Sequence, residues 1–68
     1  MTLFTLFVVV WFCGPNQGCV RLTLHDALVT AADSSQCDEM AREAATSFKA
    51  VLAGAYGADW GCRRVVGP

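Results

Sequence analysis

The stretch Thr2 to His25, TLFTLFVVVWFCGPNQGCVRLTLH, decides the fold. Its first part, through Cys13, is almost wholly apolar and rich in β-branched and aromatic residues, which favour a strand over a helix. Its middle sets Gly14, Pro15, Asn16 and Gly18 between Cys13 and Cys19. Glycine supplies positive φ and proline presets φ, so this segment turns. Its last part, Val20-Arg21-Leu22-Thr23-Leu24-His25, alternates apolar and polar with period two, as a half-buried strand does. Run, turn and run predict a β-hairpin, with a strand over 2–12, a turn over 13–19 and a strand over 19–30. The second strand continues through Leu28-Val29-Thr30, with a bulge near Asp26-Ala27 that keeps the aspartate out of the core.

The opening run has competing readings. A membrane span needs about 20 apolar residues, and Gly14-Pro15-Asn16 ends this run well short of that. A secretory signal fits in length, but no Lys or Arg precedes the apolar stretch and no small-x-small site follows it. A buried central strand is the favoured reading; a signal or anchor is the alternative.

Outward from the hairpin, a second periodicity takes over. From Cys37, residues Met40, Ala41, Ala44, Ala45, Phe48, Val51, Leu52 and Ala55 fall in one stripe at helical spacing. Asp38, Glu39, Arg42, Glu43, Thr46 and Lys49 take the opposite side. The spacing predicts one helix over 35–55, capped by Ser34 or Ser35, with Asp38 and Glu39 in its positive first turn and Gly54 and Gly57 as stop signals. The tail Asp59-Trp60-Gly61-Cys62-Arg63-Arg64-Val65-Val66 favours a third strand over 59–66, ending at Gly67-Pro68.

A chain of 68 residues holds one small domain, here 1–68. With 54% hydrophobic residues, 16% charged residues and a net charge of −1, it is neither disordered nor strongly polyanionic or polycationic. A large enzyme with a deep cleft is excluded, and a core this small needs disulfides, a metal or a partner. The order β-β-α-β defines an α+β fold. A crossover through the helix sets the third strand parallel to the second, on the far side of the first. The expected result is a three-stranded antiparallel sheet, order 2-1-3, with one amphipathic helix packed on one face.

With Cys13 opposite Cys19, residues Phe12, Val10 and Val8 oppose Val20, Leu22 and Leu24 on a wholly apolar face that meets the helix. The other face sets Trp11 opposite Arg21, Val9 opposite Thr23 and Phe7 opposite His25. One helix covers one face, so the second stays open.

Four cysteines allow three pairings. Cys13–Cys19 closes the turn, and Cys37–Cys62 ties the first helical turn to the last strand. Four free thiols, with Cys37 and Cys62 as small core hydrophobes, are the alternative. A zinc site at Cys13, Cys19 and His25 fails on distance, since an extended chain sets His25 roughly 20 Å from Cys19. No Cys-x-x-Cys redox pair and no phosphate loop appear, and His25 and Asp26, as strand neighbours, point to opposite faces. No metal, cofactor or catalytic activity is expected.

The open face therefore carries the functional expectation. Phe7, Val9, Trp11, Arg21, Thr23, His25 and Arg63 form an apolar and aromatic patch with basic neighbours, while the acidic residues are expected on the helix and in loops. Aromatic and Arg enrichment marks protein interfaces. The same mixture serves single-strand nucleic-acid platforms, but two or three positive charges and the lack of an RNP-type motif count against nucleic acid.

The residues Thr2 to Phe12, Gly18, Ser34-Ser35-Gln36-Cys37 and Trp60-Gly61-Cys62-Arg63 give the chain a loose resemblance to short phage and prophage proteins with a Cys-containing β-β-α-β pattern. The extra pair Cys13 and Cys19 departs from that pattern. The resemblance implies a small protein that binds, and inhibits or redirects, a host protein. The expected function is a protein-interaction module that docks to a partner or self-associates through the open face. Host cytoplasm is the favoured location. The alternative is an exported, disulfide-stabilised structural or envelope-associated protein, periplasmic or secreted, whose opening run is a signal or anchor.

Overall fold

The computed structural model describes residues 1–66; the Gly67-Pro68 ending lies outside them. The elements are β1 (Thr2–Gly14), β2 (Gly18–Ala31), α1 (Ser34–Thr46), α2 (Lys49–Gly54) and β3 (Gly57–Arg64). β1 pairs antiparallel with β2 on one side and β3 on the other, giving the expected order β2-β1-β3. The apolar opening run is the central strand. Pro15, Asn16 and Gln17 form the tip of the hairpin, and Gly18 at φ +70° supplies the left-handed conformation that closes it.

Near the turn the register follows the reading from the sequence: Cys13 opposite Cys19, Trp11 opposite Arg21, Val9 opposite Thr23. It then shifts. Val8 pairs with His25 and Phe7 with Asp26, which leaves Leu24 as the extra residue. The bulge therefore lies at Leu24, earlier than Asp26-Ala27, and it meets the same need. Without it Asp26 would oppose Leu6 on the helix side; with it Asp26 reaches the open face. His25 is corrected by the same shift. It stands opposite Val8, on the side the helices occupy, and it is exposed.

The single expected helix is two. Asp33, not Ser34 or Ser35, caps α1: its carboxylate accepts from the Gln36 amide at 2.8 Å. Gln36 Oε1 in turn accepts from the Ala32 amide at 2.6 Å, a reciprocal arrangement akin to a capping box. Starting the helix at Ser34 leaves Asp38 and Glu39 beyond the first turn. The break after Thr46 has a local cause. Thr46 Oγ1 donates to the Arg42 carbonyl at 3.0 Å and Ser47 Oγ to that of Glu43 at 3.4 Å, so hydroxyls share the carbonyls the helix uses. The Phe48 amide then donates to Ala45, one residue short of helical spacing, and Phe48 itself leaves helical geometry at φ −107°, ψ 24°.

Cys37, Ala41 and Ala45 are the buried residues of α1. Small side chains one turn apart let the helix approach the sheet closely. Cys37 packs with Phe4 of β1 and Ala31 at the far end of β2, and Leu6, Val8 and Val10 of β1 are buried beyond them. Full burial of Val8 and Val10 contributes about 1.5–3 kcal/mol each. The bridge Cys37–Cys62 anchors α1 to β3, and Cys13–Cys19 clasps the hairpin below its tip. This is the pairing favoured from the sequence.

The apolar face is only partly covered. β3 pairs with β1 no further than Trp11, so the hairpin tip projects beyond the three-stranded region. There Phe12, Val20 and Leu22 are 36, 60 and 48% exposed. Phe48, expected at the centre of the packing, is half-buried at the helix break.

Candidate functional site

The odd-numbered residues of β1 face away from the helices. Phe7, Val9 and Trp11 run down the middle of this open face, with Thr5 beyond them. β2 contributes Arg21, Thr23 and Asp26 opposite Trp11, Val9 and Phe7. From β3 come Gly57, Asp59 and Gly61 opposite the same three residues, and Arg63 opposite Thr5.

Glycines in β3 shape the surface. A Cβ at Gly57 would come within 2.5 Å of the Trp11 indole, and one at Gly61 within 3.5 Å of the Phe7 ring. The two rings, four residues apart in β1, thus lie over two glycines four residues apart in β3. Laying an aromatic across a strand glycine restores packing that the missing side chain would have made. Arg63 adds its guanidinium 6.0 Å from the Phe7 ring centroid, within cation–π range. Between the rings Val9 is only 3% exposed, although no helix lies on this side.

A shallow groove of about 320 Å³ runs across this face. Val9, Phe7 and Thr5 form its floor; Arg21, Thr23 and Asp26 border it on β2, and Arg63 on β3. The structure thus brings together six of the seven residues expected from the sequence: Phe7, Val9, Trp11, Arg21, Thr23 and Arg63. It sends His25 to the other face. It also adds carboxylates the sequence reading set aside in loops. Asp26 and Asp59 are strand residues on the open face, so its charge is mixed rather than purely basic. The bulge at Leu24 delivers Asp26, and the pairing of β3 from Gly57 onward delivers Asp59.

On the helix side, a second cavity of about 370 Å³ is bounded by Arg42, Lys49 and Thr46 of the helical segment and floored by Ala45, Leu52 and Trp60. The sequence reading sets Trp60 on the same strand face as Cys62 but leaves it out of the candidate site. Its alternation with Cys62 carries the signal, because Cys62 is tied to the helix and Trp60 must share its face.

Two guanidiniums and the Asp26 carboxylate surround a floor of Val9, Phe7 and Thr5. All four cysteines are in bridges. Among the described residues no three His, Cys, Asp or Glu side chains converge as metal ligands, and no helix is long and apolar enough to cross a membrane. No family model, curated protein or solved structure matches the chain.

Proposed function

We propose that this protein is a small disulfide-stapled interaction module that binds another protein on the open face of its sheet. The observation carrying this reading is the groove over Val9 and Phe7. Its floor on the central strand is Val9, Phe7 and Thr5, with Arg21 on one side and Arg63 on the other. Arg and aromatic residues around a desolvated centre are the composition that protein interfaces favour. Half-buried Phe7 and Trp11 on either side of a buried Val9, bordered by charge, form a shallow seat suited to an extended or helical segment of a partner. The mixed charge of the border favours a segment carrying both an acidic and a basic residue.

The test is quantitative capture of tagged protein from its native cells, with wild type compared to Thr5→Glu/Arg63→Glu. Both positions lie on the open face and outside the helix-side core. A specific partner should be recovered with wild type and fall by about tenfold or more with the variant, the loss of roughly 1.4 kcal/mol of binding. Equal recovery with both proteins would refute the assignment to this face.

The two bridges support a second element of the reading, the compartment. Disulfides persist in oxidising surroundings and are rare in the cytosol. An oxidising compartment is therefore preferred to the host cytoplasm, while the alternative in which the opening run is a signal or anchor gives way to its place as the central strand. Intact mass of protein from its native cells, measured before and after reduction, checks this. A gain of four hydrogens on reduction is expected; unchanged mass with four free thiols would overturn it.

A further inference from the structure

β2 has a free edge, and its register contains an unused self-complementarity. The strand runs fourteen residues at the margin of the sheet, and its large apolar side chains Val20, Leu22 and Leu28 are exposed, Leu28 to 67%. A long edge of this kind is a template for another strand. Backbone direction identifies which groups it offers. The carbonyls of Leu3 and Trp11 accept from Val65 and Tyr56 on the β3 side, so the odd residues of β1 bond toward β3. The β2 residues opposite them therefore turn their own N–H and C=O groups to the free edge. These include Cys19, Arg21, Asp26 and Leu28, whose side chains all lie on the open face.

The bulge makes this set match itself. Residues five apart in a regular strand point to opposite faces, yet Arg21 and Asp26 share one, because Leu24 is extra between them. A two-fold axis perpendicular to the sheet, passing between Thr23 and Leu24, sets Arg21 against Asp26 of a second copy and Asp26 against its Arg21. The same operation sets Cys19 against Leu28, Val20 against Ala27 and Leu22 against His25, each pair on one face. The exposed Leu28 then packs beside the Cys13–Cys19 bridge of the other chain. Pairing spans Gly18 to Val29, nearly the whole strand, so the register that aligns the charges also uses almost all of the edge.

We propose that the protein forms a symmetric homodimer by antiparallel β2–β2 pairing in this register, giving a six-stranded sheet with reciprocal Arg21–Asp26 pairs. Such an interface is isologous and closes on itself. Arg21 and Asp26 also border the groove, so sedimentation of the purified protein, with no other protein present, is what separates this proposal from the partner reading.

Sedimentation equilibrium on the oxidised protein tests it, with circular dichroism confirming the fold of each variant. Wild type should be dimeric at micromolar concentration. Arg21→Asp and Asp26→Arg each set like charges in opposition and should weaken the dimer by about tenfold or more. The combined Arg21→Asp/Asp26→Arg protein restores opposite charges and should recover dimerisation. Leu28→Lys, at an exposed position that leaves the monomer core intact, should also dissociate it. A wild type that is still monomeric at about 0.5 mM, a concentration high enough to populate even a weak dimer, would overturn the proposal. So would single charge variants that dimerise like wild type, or a double variant no better than the singles.

Discussion

Gly57→Ala should destabilise this protein although it adds only one methyl group at the margin of the sheet. The new Cβ would stand 2.5 Å from Cε2 and Cζ2 of Trp11 and 2.6 Å from its Nε1. These are atoms of a rigid ring, so relief requires the whole indole to lift from β3. Lifting it exposes the ring and the flank of Val9 and strips the cover from the β1–β3 pairing, at a cost of about 1–3 kcal/mol. A domain of this size has about 3–10 kcal/mol in total. The midpoint of thermal unfolding, followed by circular dichroism, should fall by about 5–20 °C. Gly61→Ala is the internal control. Its Cβ would meet Phe7 at an ordinary 3.5 Å, so the midpoint should hold or rise slightly as backbone entropy of the unfolded chain falls. In a Trp11→Val background the Gly57→Ala penalty should vanish, since the obstacle is gone. An equal penalty with and without the indole would refute the packing argument.

Three further outcomes follow from the same geometry. Removing the Cys37–Cys62 bridge by paired Ala substitutions should cost about 3.5 kcal/mol against about 2 kcal/mol for Cys13–Cys19, from loops of 25 and 6 residues, and chemical denaturation of the two variants should preserve that order. Deleting Leu24 should leave cooperative unfolding, because Val8–His25 and Val9–Thr23 pairing then becomes regular. Deleting the more exposed Leu28 should unfold the protein, because Val29 and Ala31 change faces. Asp33→Ala should cost about 1 kcal/mol in a thermal melt by freeing the Gln36 amide, with Asp33→Asn recovering most of it.

The hairpin and strand order were legible because each part of Thr2 to His25 has one dominant period and the turn is dense in Gly, Pro and Asn. The bulge was not, in its place. The alternation of Val20 to His25 continues smoothly to Asp26, so sequence alone shows that an extra residue is needed without showing where pairing releases it. The helix break escaped for a related reason. The apolar stripe continues through Phe48, and only the hydrogen bonds of Thr46 and Ser47 interrupt it. At the open face, Gly57 reads as a helix stop signal, whereas its position in the fold is beneath Trp11. The matching four-residue spacings, Phe7 to Trp11 and Gly57 to Gly61, were the available sign once β1 and β3 were known to run antiparallel.

The open face is tested most directly by a photo-crosslinking residue at Thr5, in the floor of the groove, compared with one at Glu43, exposed on α1. After irradiation in the native cells, Thr5 should yield a discrete adduct with one other protein, while Glu43 yields none. An adduct of the same size from Glu43, or no adduct from Thr5, would contradict binding at this face.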